Sequence, residues 1–221
     1  MDKKKKIIII SVVSLVIIAL IVGLIIFFVN RNNNVGEGGT TPANSTKIAK
    51  LYSNLSNEEV FSFTTVKDEN NREIYAKSNN AAYTDTIYDG EESKYIIKDG
   101  NSYLLKDDDK VYYTYQNNEI NLNKVLEQLS EIQDSELTEG TEEIEGKKYE
   151  YEEYSGFTNF AITITDDNSD IDNTKTRFYF DGNDLVYIKT IVGNSQELLS
   201  VEISNDVDNN LFEIPEDYRG M

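Results

Sequence analysis

Residues 71–116 read NREIYAKSNNAAYTDTIYDGEESKYIIKDGNSYLLKDDDKVYYTYQ. Tyr103 and Leu105 stand two apart, as do Tyr113 and Tyr115. Side chains of a strand alternate between faces, so apolar residues at every second position mark a half-buried sheet. Asp89-Gly90 and Asp99-Gly100 interrupt the runs, and Asp-Gly is a favoured hairpin pair. Asn79-Asn80 and, just beyond the stretch, Asn117-Asn118 tolerate turn conformations for a related reason. Strands are predicted at 71–77, 81–88, 93–98, 101–106 and 110–116. Connections this short allow only antiparallel neighbours, a meander without βαβ crossovers.

The same alternation extends outward on both sides. Phe61/Phe63, Tyr149/Tyr151, Phe160/Ile162/Ile164, Phe178/Phe180 and Leu199/Val201/Ile203 repeat the two-residue step, and Asp181-Gly182 supplies another hairpin signal. Further strands are expected near 58–67, 147–154, 158–165, 175–181, 184–193 and 196–204, about 11 in all. Two helical stripes interrupt them. Ile48, Leu51, Tyr52 and Leu55 fit a helix over 44–54 with Asn44 or Ser45 as N-cap. Leu122, Val125, Leu126, Leu129 and Ile132 fit another over 120–132. The expected fold class is α+β: one strongly curved antiparallel sheet that buries both stripes.

Ahead of this domain, Ile7–Val29 is a run of 23 residues without charge. As a helix it would extend roughly 34 Å, enough for a hydrocarbon core of about 30 Å. A cleavable signal peptide has a shorter apolar region and a small-residue cleavage site, and Phe27-Phe28-Val29-Asn30-Arg31 offers none. The run reads as an uncleaved transmembrane anchor. Lys3, Lys4, Lys5 and Lys6 precede it and Arg31 follows, which places the N-terminus in the cytoplasm and the rest outside. The expected organisation is a basic cytoplasmic stub (1–6), a transmembrane helix (7–29), a flexible linker (30–44) and an extracytoplasmic domain (45–221). The linker's root-mean-square reach is about 20 Å, so the domain stays near the cytoplasmic membrane.

The chain has 21 Lys+Arg and 40 Asp+Glu, a net charge of −19. Setting aside the four stub lysines and Asp2 leaves 17 basic and 39 acidic residues, net −22. Such a domain repels nucleic acid. With no Cys and no His, thiolate zinc sites, disulfides, thiol nucleophiles and Ser-His-Asp triads are excluded.

The C-terminal stretch Asp208-Asn-Asn-Leu211-Phe212-Glu213-Ile214-Pro215-Glu216-Asp217-Tyr218 resembles the endings of LolA-like and LolB-like lipoprotein carriers and RseB/MucB-type regulators. Phe178-Tyr179-Phe180-Asp181 entering a turn and Leu185-Val186-Tyr187-Ile188 leaving it are similar as well. The resemblance implies an unclosed half-barrel of about eleven strands with helices on its concave side. It also implies an apolar ligand inside, an acyl chain or a lipidated protein. A retained anchor departs from carriers that shuttle and suits a tethered binder.

The candidate ligand-binding set is Phe61, Phe63, Tyr95, Tyr103, Tyr113, Phe178, Phe180 and Tyr187. These rings either line a cavity, with tyrosine hydroxyls as polar handles, or fill an ordinary core. Asp166, Asn168, Asp170 and Asp172 alternate as in a calcium loop, but Ile171 and Arg177 stand where the turn glycine and bidentate Glu belong. Asp206, Asp208 and Asn210 fail similarly, so no metal site or cofactor is expected. Asn44-Ser-Thr46 and Asn54-Leu-Ser56 match the glycosylation sequon by chance composition. No nucleophile elbow, Ser-x-x-Lys dyad or P-loop occurs, and the chain does not read as an enzyme. Two functions remain: a tethered binder of a lipid, lipopeptide or other apolar ligand, or a protein-interaction or sensor module that regulates an envelope-stress or signalling partner.

Overall fold

The computed structural model describes residues 46–116, 122–132, 137–155, 160–162 and 174–221. The basic stub, apolar run, linker, Asn44, Ser45 and the Asp166–Asn173 loop lie outside the described residues. Among the described residues no helix is long and apolar enough to cross a membrane.

Helix α1 (Lys47–Asn57) precedes a meander of β1 (Phe61–Asp68), β2 (Asn71–Lys77), β3 (Ala81–Tyr88), β4 (Glu91–Lys98), β5 (Asn101–Lys106) and β6 (Val111–Gln116). Helix α2 (Lys124–Ile132) leads to a second meander, β7 (Leu137–Ile144), β8 (Lys147–Ser155), β9 (Thr174–Asp181), β10 (Asp184–Val192) and β11 (Ser195–Ser204). A 3-10 turn (Asn209–Phe212) and the short β12 (Arg219–Gly220) end the chain. Antiparallel pairing of β1 with β11 joins the meanders into one unclosed, curled sheet of 12 strands, in the order β12-β6-β5-β4-β3-β2-β1-β11-β10-β9-β8-β7.

The hairpin turns follow the expected chemistry. Asp89 and Gly90 have φ of 49° and 78°, and Asp99 and Gly100 have 52° and 74°. Two consecutive positive φ values make the turn whose twist matches the flanking strands. Glu145 and Gly146 (52° and 81°) turn the same way between β7 and β8.

Three expectations are corrected. Strand β7, LTEGTEEI, was not foreseen, because three glutamates and a glycine look like a solvated loop. Its place is set by packing: a Cβ on Gly140 would lie 2.5 Å from Cζ of Tyr151, so only glycine lets that ring cross the edge strand. The strand expected at 158–165 is not one at Phe160–Ile162, which form a turn and bend. There Phe160 packs edge-on against Phe178 (ring centroids 5.6 Å apart) and tilted against Phe63 (6.0 Å). Helix α1 begins later than predicted, and its N-cap is Thr46, whose side chain accepts from the Ala49 amide at 3.1 Å.

Each sheet face has its own core. One face carries both helices: Ile48 and Leu55 of α1 and Val125, Leu126, Leu129 and Ile132 of α2 pack on Phe61, Phe63, Tyr75, Phe178, Phe180 and Ile188. The opposite face of β2–β5 is covered by the C-terminal tail, with Phe212, Leu211, Ile214 and Tyr218 on Ala76, Tyr83, Ile96 and Leu105.

Candidate functional site

Strand register decides which candidate rings meet. Phe63 pairs with Tyr75, Tyr75 with Thr84, Thr84 with Tyr95, Tyr95 with Leu104, and Leu104 with Tyr113. Directly opposed residues share a face, so this row crosses six strands on the helix-bearing side. At about 4.8 Å per strand it is roughly 24 Å long. Its Phe63 end is buried beneath α2, whereas Tyr113 is 39% exposed. Phe61, Phe178 and Phe180 lie in the same cluster, each at most 2% exposed. Six of the eight candidates thus share one face.

Tyr103 and Tyr187 do not join them. Tyr103 opposes Ile96 on the tail-covered face and packs edge-on against Tyr112 at 5.9 Å. Tyr187 opposes Tyr179 and meets Tyr149 edge-on at 5.4 Å, again on the face without helices. The alternation in Tyr103/Leu105 was legible, but not which face the set takes. A bulge between Leu185 and Tyr187 also breaks the pattern there.

The structure adds residues that were not foreseen. Tyr75 sits beside Phe63 in the row and donates its hydroxyl proton to the Leu122 carbonyl at the foot of α2. Burial, with the Glu127 carboxylate nearby, pushes its phenol well above the usual range, so Tyr75 stays a donor. The run Ile74-Tyr75-Ala76 is apolar throughout and gave no alternation to read. Lys124 pairs with Glu73, holding the first turn of α2 to β2.

Helix α1 is fastened differently. Buried Glu152 on β8 accepts the Lys47 and Ile48 amides at 2.5 and 3.0 Å, and the Tyr154 hydroxyl at 2.9 Å. A carboxylate there satisfies unpaired first-turn amides and complements the positive end of the helix dipole. Lys47 adds bonds to Glu150 and to the Gly182 carbonyl, both at 2.6 Å. No sequence signal marks Glu152 among so many acidic residues.

Among the described residues, α2 packs closely on the sheet. A cavity of about 10 Å³ remains, lined by Phe63, Thr65, Tyr75, Val125, Gln128 and Phe160. That is room for about one water molecule and none for an acyl chain. A second hollow of about 320 Å³ lies on the tail side, between Ser78, Asn80, Lys98 and Asp99 and the tail residues Asn209 and Phe212. The Lys98–Glu213 ion pair spans it. Among the described residues no cluster of three metal-ligating side chains occurs. Asp208, considered above as a cation ligand, caps the 3-10 turn instead, accepting from the Asn210 amide at 2.9 Å.

No protein-family model matches this chain, and no curated protein does. Solved structures that resemble it include an uncharacterized conserved protein from Thermus thermophilus, at 8% identity and TM-score 0.43. That match spans 78% of this chain and 98% of the other. The Mycobacterium tuberculosis lipoprotein LppX aligns at 16% identity and TM-score 0.39, spanning 77% of this chain and 99% of its own.

Proposed function

We propose that this chain is a non-enzymatic binding domain, tethered outside the cytoplasmic membrane by residues 7–29. It takes a lipid, lipopeptide or other apolar ligand on the helix-bearing face, with α2 as the movable cover. The observation that carries the reading is the position of α2 over the buried half of the aromatic row. Its apolar stripe occupies the volume a ligand would take, and the other half of the row leads outward to Tyr95 and Tyr113.

The fastening of the helices favours α2, rather than α1, as the cover. Helix α2 is held to β2 through the Lys124–Glu73 pair and the Tyr75–Leu122 bond at its start, whereas buried Glu152 accepts two first-turn amides of α1.

Titrating purified residues 45–221 with a fluorescent fatty acid tests this. Saturable binding that Tyr95→Asp abolishes is the expected result. Absence of saturable binding across several lipid classes would reject it. One observation favours the second reading, a protein-interaction or sensor module: among the described residues the cavity between α2 and the sheet is no larger than a water molecule. On that reading lipid titration is silent and a protein partner is retained by the intact chain.

A further inference from the structure

The two ends of the sheet differ in charge. Strand β7 carries Glu139, Glu142 and Glu143, with Glu145 in the following turn. Charge on an edge strand discourages a foreign strand from pairing with it. Strand β6 reads VYYTYQ and has no charged residue. The tail covers only its start: β12 runs parallel beside Val111 and Tyr112, and the Arg219 and Met221 amides donate to the Lys110 and Tyr112 carbonyls at 3.1 and 3.0 Å.

Within a strand, one residue's N–H and C=O point to the same side, and the side alternates along the chain. Tyr112 turns its carbonyl away from β5, so Thr114 and Gln116 do the same. Among the described residues no strand pairs with them on that side. Tyr113 and Tyr115, flanking Thr114, are 39% and 41% exposed. Outward backbone groups, exposed rings and no charge are what strand addition requires.

We infer that β6 pairs antiparallel with β6 of a second copy of this chain, about a two-fold axis at Tyr115. In this register Thr114 of each copy opposes Gln116 of the other, and the two pairs exchange about four backbone hydrogen bonds. The two Tyr115 side chains meet as a cross-strand aromatic pair on the helix-bearing face. A second copy fits because uncharged edge meets uncharged edge. The nearest acidic residue before the strand, Asp109, stands six residues from Tyr115, roughly 20 Å along an extended chain, and exposed charges are screened beyond about 8 Å at physiological salt. So short a pairing is weak in dilute solution. It is sustained by confinement to one membrane, which rests on the anchor proposed above.

The chain has no cysteine, so one introduced thiol reports its own encounters. Full-length Tyr115→Cys in phosphatidylcholine vesicles at low protein density is expected to form a disulfide dimer about tenfold faster than Thr141→Cys on β7. Adding Thr114→Pro removes an outward N–H without touching the β5–β6 ladder and should reduce the rate to that of Thr141→Cys. Raising the salt should increase it. Equal rates from the two edges, or indifference to Thr114→Pro with circular dichroism unchanged, would overturn the pairing. Vesicle flotation separates the two readings: a chain that does not float refutes the anchor. The same cross-link at high protein concentration in solution then decides the pairing alone.

Discussion

Replacing Glu152 by alanine removes one side chain and strands three donors. The Lys47 and Ile48 amides and the Tyr154 hydroxyl all end on this carboxylate, 3% exposed between α1 and β8. A buried donor left without a partner costs about 1–3 kcal/mol. Water can reach the partly buried Lys47 amide, so two of the three donors stay unsatisfied and the expected loss is about 2–6 kcal/mol. For a domain of this size that lowers the melting temperature by roughly 4–24 °C. Glu152→Gln retains an acceptor oxygen but presents an amide N–H₂ to a second donor, so about half the loss is expected. Urea unfolding of residues 45–221, followed by circular dichroism, measures both. Hydrogen exchange should show α1 opening below the global transition in the alanine variant. A change under about 1 kcal/mol, or equal losses for alanine and glutamine, would refute the account of Glu152 as the anchor of α1.

Gly140→Ala should destabilise by about 1–3 kcal/mol, because the new methyl group meets the Tyr151 ring; in a Tyr151→Ser background most of that cost should vanish. Tyr75→Phe deletes the bond to the Leu122 carbonyl and should cost about 1 kcal/mol. Faster amide exchange confined to α2, with tighter fatty-acid binding, would identify the loss with the cover. For Glu142, partial burial raises the pKa, but hydrogen bonds from Lys189, Tyr179 and Arg177 outweigh it and hold the carboxyl at about 2. A carboxylate depressed in the folded state stabilises above its unfolded pKa, and the contribution fades as pH falls from about 4.5 towards 2. Melting temperature against pH should therefore fall through that window, and Glu142→Gln should flatten the fall. Thr46→Ala should cost about 1 kcal/mol through loss of the α1 cap, read by the same urea titration.

Much of the architecture was legible wherever local chemistry and tertiary context agree. The strands between Asn71 and Gln116 were bounded within about two residues because Asp89-Gly90 and Asp99-Gly100 are turns by their own conformational preference. Val125, Leu126, Leu129 and Ile132 lie along α2 as their spacing predicted, although the helix begins at Lys124 and Leu122 precedes it in a turn. Strand β7 was invisible: LTEGTEEI becomes a strand only because Tyr151 lies over Gly140 and Glu142 meets Arg177 and Lys189, which are 35 and 47 residues away in the chain. The candidate site was half legible. Aromatic alternation located the rings, but the face each ring takes depends on register, which sent Tyr103 and Tyr187 to the other side.

The C-terminal stretch that carried the family resemblance packs Phe212 and Tyr218 on the face without helices. Composition, alternation and turn residues therefore determined by themselves that this chain forms an acidic antiparallel β-domain with two amphipathic helices. These are properties of neighbouring residues and of their solvation. The closing of the two meanders along β1 and β11, the filling of the aromatic face by α2, the hidden anchor at Glu152 and the bare edge of β6 were decided only in three dimensions. Each depends on residues far apart in the chain, whose encounter no local preference encodes.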